Sequence, residues 1–392
     1  MKKNFILFVL AMIAFAANAQ TLKTLNWANK ERQYLEYVPS TYSADTPAPV
    51  LFMLHGLGDE ATNFFNATDV KAVAEQRGWI VVCPQALEFN IEVPGIGSYP
   101  FGTAWSAGIT VSVEFNLYGM PFNFDVTVNP DADDSGFLMA TLTTLEEEYN
   151  LEQDSVFFAG FSLGACMSHR MAIEHGDRIN AIAAVSGVVG NDMDEMTPTA
   201  NVNVLEIFGT SDEMISYDNA EISLQSYGTH SIGLPAEATV EYWRAFNQCD
   251  EAPIVEQYPD LVNDGLTFEM HSYQNGANDT KVGFIKVNNG MHRWYTSGSN
   301  DIDYTEEIVK FFTSTIDVTN ADELSETSVN VYPNPATDFI VVGTQDVVNI
   351  YDLCGKLVLS SQGTDRIDIR MLPEGMYFVR SSNTCDKLII QK

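Results

Sequence analysis

The chain has 392 residues, of which 45% are hydrophobic and 19% charged, and its formal net charge is −33. That length and apolar content supply a large buried core with material left for a second unit. A negative field of this size repels nucleic acid, anionic membrane and acidic polysaccharide, so composition favours a neutral partner and excludes nucleic acid.

The first run, MKKNFILFVLAMIAFAANAQ, places Lys2 and Lys3 before the apolar stretch Phe5 to Ala16, and Ala17-Asn18-Ala19 fits a signal-peptidase site. Residues 1–19 are predicted to be a signal peptide, with Gln20 opening the mature chain. No later stretch offers the roughly 20 uninterrupted apolar residues of a membrane span, so no transmembrane span is expected after cleavage.

Over residues 20–315, short β-rich runs alternate with amphipathic helical segments, the pattern of a mostly parallel sheet covered on both faces. The fold class is α/β. Expected strands are Val50–Leu54, Trp79–Cys83, Ser155–Phe158, Ala181–Val185, Val202–Phe208 and Lys281–Val287. Helical spacing joins Phe137, Leu138, Leu142, Leu145 and Tyr149, and again Val240, Trp243 and Phe246. Between the second strand and the first of these helices, Ser106 to Asp131 alternates apolar and polar residues about a glycine, as an inserted β-hairpin does. Its aromatic and apolar density exceeds what a solvated loop needs, so it is expected to border a substrate site.

The acidic, polar stretch at 316–327 reads as a linker. From 328 to 392 only short β runs separated by turn signals remain, the signature of a small antiparallel sandwich.

Chemistry concentrates in three places. Gly160-Phe161-Ser162-Leu163-Gly164 follows the apolar run VFFA and precedes a helical pattern, the strand, sharp turn and helix of a nucleophile elbow. A serine hydroxyl needs a base, and the base needs an acid that fixes its tautomer, in the chain order Ser, Asp or Glu, His. Asp212 follows the strand Val202–Phe208, and His292 follows Lys281–Val287 ahead of the last helix. Asp218, expected on the next helix, is the weaker acid candidate. His271 in a β-like run and His230 in a loop are weaker bases, and His169, His175 and His55 are badly placed for the role. His55-Gly56-Leu57-Gly58 ends an early strand, so the amides of Leu57 and Leu163 are the expected oxyanion hole.

The five cysteines cannot all pair within one molecule. Cys83 and Cys166 are expected to be free and buried, whereas the pairing of Cys249, Cys354 and Cys385 is left open. No CxxC or HExxH occurs, and neither metal nor cofactor is expected.

The segments VLFMLHGLGD, WIVVCPQA, TAW, DADDSGFL, LEQDSVFFAGFSLGACMSHRMA, FGTSDEMISY and NNGMHRW together resemble the esterase family of polyhydroxybutyrate depolymerases and feruloyl esterases. The resemblance covers roughly Thr24 to Thr315. It implies an α/β-hydrolase with Ser162 as nucleophile, Asp212 as acid, His292 as base and the loop after His55 as oxyanion element. It also places Trp105 near the substrate; Met291 and Trp294, which flank the base in sequence, are expected as further substrate contacts. Asp133 and Asp134 match an acidic pair of the family, read here as a helix cap. The chain departs at Asn289-Gly290-Met291, where the family carries further glycines, and lacks the usual cysteine partner for Cys249.

The terminal unit resembles the sorting domain of the type IX secretion system through Tyr332-Pro333-Asn334-Pro335-Ala336, YDLCGKLV, LPEGMYFVR and KLIIQK. That resemblance implies passage across the outer membrane, removal of the domain, and an extracellular or cell-surface destination. The resulting expectation is a secreted serine hydrolase acting through an acyl-enzyme on a neutral ester or polyester. A serine peptidase of the same fold and a non-catalytic surface binding protein are the rival readings.

Overall fold

The computed structural model describes residues 20–316, apart from 94–96, 118–119, 225–227 and 297–299, and residues 331–391, apart from 343–346, 352–356, 363–365 and 382–383. The expected signal peptide and nearly all of the expected linker lie outside the described residues. The chain divides into two compact units, Met1–Ile316 and Asp317–Lys392.

In chain order the first unit opens with β1 (Thr21–Trp27), β2 (Lys30–Tyr37), β3 (Ala48–Leu54), α1 (Ala61–Ala67), α2 (Val70–Arg77) and β4 (Ile80–Pro84). Two hairpins follow, β5 (Leu87–Val93) with β6 (Gly97–Ala104), and β7 (Thr110–Leu117) with β8 (Met120–Thr127). Next come α3 (Asp134–Glu148), β9 (Leu151–Phe161), α4 (Leu163–His175), β10 (Ala181–Val185), β11 (Asn203–Gly209), β12 (Glu221–Leu224) and β13 (Gly228–Ser231). The unit ends with α5 (Ala236–Asn247), β14 (Ile254–Gln257), β15 (Thr267–Tyr273), β16 (Val282–Asn288) and α6 (Tyr304–Thr313).

Ten strands form one sheet in the order β1-β2-β4-β3-β9-β10-β11-β16-β15-β14. The inner run from β4 to β16 is parallel, and both edges are antiparallel. The antiparallel edges, and the β5–β6 hairpin, are additions to the expected strand set. Inner strands are buried on both faces, which is why VLFML, IVVC and AIAAV read as continuous apolar runs rather than alternating ones. Val50, Phe52 and Leu54 face one layer with Leu138, Met167 and Trp243. Leu51 and Met53 face the other, with Phe64, Ile308 and Phe312. In that second layer Phe157 stacks between Trp79, 5.1 Å away, and Phe312, 4.7 Å away.

Asp133 is the N-cap of α3 and accepts from the Gly136 amide at 3.0 Å, satisfying one of the orphan donors of the helix start. Asp134 is fully buried; Arg32 reaches its Oδ1 at 2.5 Å and the Ser106 amide its Oδ2 at 2.7 Å. The acidic pair therefore fastens α3 to β2 and to the segment after β6.

The second unit contains β17 (Val331–Tyr332), β18 (Phe339–Val342), β19 (Val347–Tyr351), β20 (Leu357–Gln362), β21 (Ile367–Asp368), β22 (Gly375–Ser381) and β23 (Thr384–Ile390). They pair antiparallel as β17-β18-β21 and β20-β19-β22-β23. Ile340, Ile350, Val379 and Leu388 belong to one shared core.

Candidate active site

Ser162 occupies the turn between β9 and α4 with φ 56° and ψ −121°, a backbone region that a non-glycine residue holds only when its surroundings enforce it. The enforcement is visible in the flanking glycines. A Cβ on Gly160 would stand 2.1 Å from the Gly164 carbonyl oxygen, and one on Gly164 would stand 2.1 Å from that of Leu54. Both spacings lie far inside van der Waals contact, so the elbow closes only with glycine two residues before and two residues after Ser162. The Ser162 amide donates to Val185 O at 2.8 Å and ties the elbow to β10.

Asp212 follows β11, and His292 follows β16, its parallel neighbour in the sheet. Their loops touch through two glycines, since a Cβ on Gly209 would lie 2.3 Å from Gly290 O. Asp212 Oδ2 is 2.7 Å from His292 Nδ1. Its Oδ1 accepts from the amides of Met214 at 2.9 Å and Ile215 at 2.8 Å. An acid held by two backbone donors cannot swing, and it fixes the imidazole as the Nδ1–H tautomer, leaving Nε2 free to accept a proton. The His292 amide donates to Glu213 at 3.0 Å, and the ring lies 4.8 Å from that of Phe161, between centroids.

Ser162 and His292 both line a cavity of about 600 Å³, as do Gly56, Leu57 and Leu163. Leu163 is the first residue of α4, so its amide has no acceptor within the helix. A Cβ on Gly56 would approach Ser162 Cβ to 3.4 Å, which places the Leu57 loop beside the elbow.

His55 sits beneath that loop. Its Nδ1 lies 2.7 Å from Gly56 O, and its Nε2 accepts from the Ala86 amide at 3.1 Å. Burial lowers its pKa from the usual range, against a smaller opposing effect of the Gly56 carbonyl. Because a backbone N–H must donate to Nε2, the ring is neutral and serves as a fixed strut.

The residues expected to contact substrate are placed elsewhere. Trp105 is fully buried and its indole N–H donates to His55 O at 2.8 Å, so it braces the Leu57 loop from behind. Trp294 donates to Thr305 at 3.1 Å and meets Phe64 edge-on at 5.4 Å. Met291 is exposed, and its amide donates to the Tyr295 hydroxyl at 3.1 Å. None of the three is in the cavity wall. Its apolar lining comes instead from the two hairpins and from the segments around Ile215 and Ile232. Of the weaker triad candidates, Asp218 lies in a turn before β12 rather than on a helix, His230 in β13 rather than a loop, and His271 in β15.

A second buried histidine lies behind the elbow. His169 of α4 accepts at Nδ1 from the Trp243 indole N–H at 3.0 Å, and its Nε2 is 3.1 Å from Glu206 Oε2 of β11. The indole can only donate, so the ring is neutral and its Nε2–H faces the carboxyl. Burial lowers the His169 pKa to about 3 and raises that of Glu206 well above the carboxylate range.

Cys83, Cys166 and Cys249 are free and buried; the side chains of Cys354 and Cys385 lie outside the described residues. Burial pushes the Cys166 thiol up to about 12, leaving a packing residue rather than a nucleophile. Among the described residues no cluster of His, Cys, Asp and Glu could hold a metal ion, and no helix is long and apolar enough to cross a membrane.

Comparison with known proteins gives the geometry a context. The phospholipase/carboxylesterase family model matches residues 39–233, and the secretion system C-terminal sorting domain matches residues 330–392. A Nocardia uniformis subsp. tsuyamanensis protein named as an esterase is 27% identical over 68% of this chain and 72% of its own length. Feruloyl esterase D of Neurospora crassa is 26% identical over 43% of this chain, which spans only 50% of that enzyme. Among solved structures, acetyl xylan esterase from Aspergillus awamori matches 75% of this chain and 99% of its own at 14% identity, with a TM-score of 0.48. Residues 39–233 thus match the phospholipase/carboxylesterase family and residues 330–392 a secretion system sorting domain, which marks the chain as a carboxylic ester hydrolase whose terminal unit points to type IX secretion.

Proposed function

We propose that the chain hydrolyses a neutral carboxylic ester outside the cell through an acyl-enzyme on Ser162. The observation that carries the reading is the 2.7 Å contact between His292 Nδ1 and a doubly anchored Asp212, with His292 and Ser162 in the wall of one cavity. In the first step the Ser162 hydroxyl oxygen bonds to the ester carbonyl carbon as its proton passes to His292 Nε2. The oxyanion that forms takes hydrogen bonds from the Leu57 and Leu163 amides, where the partial positive charge of the α4 N-terminus also falls. His292 returns the proton to the departing alkoxide, and the alcohol leaves. Water then attacks the Ser162 ester with the same histidine as base, releasing the acid and restoring the serine. Asp212 holds the imidazole in place and stabilises the imidazolium that forms.

A neutral substrate suits the chain's charge of −33. The similarity to a feruloyl esterase puts feruloyl esters, beside simple aliphatic esters and polyesters, among the first substrates to assay. The sorting domain is proposed to be removed at the cell surface, leaving residues 20–315 as the working enzyme. Incubation with p-nitrophenyl esters and with matched p-nitroanilides tests the reaction class. Rapid ester turnover with negligible anilide turnover supports an esterase; the reverse order supports a peptidase, and inertness toward both supports a binding protein.

A further inference from the structure

The cavity beside Ser162 is built by pieces that the catalytic residues do not require. On β7 the lining residues are Val111 and Val113, and on β8 Phe124 and Val126. Ser112, Glu114, Asn123 and Asp125, which alternate with them, are exposed. The β5–β6 hairpin repeats the device, with Phe89 and Ile91 in the wall and Glu88, Asn90 and Glu92 in solvent. Two ribbons thus each turn one apolar face toward the same space.

The buried part of that wall is hydrocarbon. Phe89, Ile109, Val111, Val113, Ile215 and Ile232 are each no more than 9% exposed. The polar side chains in the wall, apart from Ser162 and His292, are few, and of them only Cys166 is buried. Glu213 and Ser223 are exposed and Tyr99 is half-exposed. Asp59 is partly exposed and accepts through Oδ1 from the Glu60 amide at 2.8 Å and from Asn63 at 3.4 Å. The buried Cys166 sulfur accepts from the Val188 amide at 3.4 Å.

We propose that this cavity is an acyl pocket for a medium or long hydrocarbon chain, so that the substrate is an ester of an aliphatic acid without internal hydroxyl groups. The inference rests on the serine-esterase reading. Size decides against acetate: at about 30 Å³ for each water-sized group, the space takes on the order of twenty such groups. Chemistry decides against a hydroxylated aromatic acid. Its phenol, placed against the buried wall of Phe89, Ile109, Val111, Val113, Ile215 and Ile232, would meet hydrocarbon alone, and a site selects strongly against a polar group it leaves unpaired. The acyl half is assigned to the enclosed wall because it stays attached to Ser162 after the alcohol has gone. The alcohol then leaves past the exposed Glu213 and Met214.

The test is kcat/KM of the full chain on p-nitrophenyl acetate, butyrate, hexanoate, octanoate, decanoate and ferulate, with ethyl, butyl and octyl acetate as the alcohol series. The pocket predicts a rise of about threefold or more per added acyl methylene up to octanoate, ferulate well below octanoate, and little response to alcohol length. A flat or falling acyl series overturns the pocket. A preference for ferulate overturns its hydrocarbon character, and a rise confined to the alcohol series overturns the acyl assignment. Failure on every ester overturns the serine-esterase reading itself, and the pocket with it. Val113→Asp, which puts a carboxylate into the wall, should lower the octanoate-to-acetate ratio by about tenfold or more; an unchanged ratio in the folded variant contradicts the placement of Val113.

Discussion

At the residue scale, the account turns on how tightly each group around Ser162 is held. Replacing Asp212 by Asn leaves the shape but presents an amide that can favour the wrong imidazole tautomer, so kcat is expected to fall by about 10⁴. His271→Ala, a change outside the cavity wall, should leave kcat within about twofold of the parent. An Asp212→Asn enzyme of ordinary kcat would remove the acid from the scheme. The buried pair behind the elbow gives a stability prediction. Glu206 has its folded pKa raised, so the folded chain keeps a proton that the unfolded chain releases above about 4.5. Its contribution is therefore full below that pH and lost as pH rises toward the folded value. His169 has its pKa lowered to about 3, so its contribution is full above about 6.5 and lost as pH falls below it. Glu206→Gln removes the first dependence while keeping an acceptor for His169 Nε2–H. It should raise Tm at pH 8 relative to the parent, with the gain fading toward pH 4; calorimetry at both values decides, and a gain that is larger at pH 4 contradicts the neutral carboxyl.

At the element scale, the ribbon β7–β8 was readable because its alternation has a period of two over a long run, which only a half-buried strand explains. Val111 and Val113 inside with Ser112 and Glu114 outside follow that reading. The β5–β6 ribbon obeys the same rule in Phe89, Ile91 and Val93, yet its register shift at Phe89/Asn90 shortens the clean alternation. Substrate contacts were less legible. Trp105, Met291 and Trp294 were singled out by resemblance or by closeness in sequence to a catalytic group, whereas a cavity wall collects side chains far apart in sequence. Trp105 shows how a tryptophan beside a site can support it from beneath, through its N–H to His55 O. Deleting Val111–Asp125 is expected to lower kcat/KM on long-chain esters by at least about tenfold, with a smaller effect on acetate. Equal losses on both, measured on folded protein, would assign the ribbon to stability instead.

At the scale of the whole molecule, the division at Ile316/Asp317 separates a unit holding Ser162, Asp212 and His292 from one whose described core is Ile340, Ile350, Val379 and Leu388. A chain ending at Ile316 is expected to fold and to keep its full kcat; a soluble but inactive product would mean that the sorting domain takes part in the site. The order Ser, Asp, His and the position of each beyond a parallel strand could be read from sequence because the fold leaves few places for them. The antiparallel edge strands could not, since β1 and β2 carry many polar and charged residues, β14 is four exposed residues long, and none of the three carries a motif. The most direct measurement is intact mass of the full chain after reaction with a fluorophosphonate, with the modified peptide then located. The account predicts one adduct, on Ser162, abolished in Ser162→Ala together with ester turnover. An adduct elsewhere, or a Ser162→Ala protein that still hydrolyses esters at the parent rate, would contradict it.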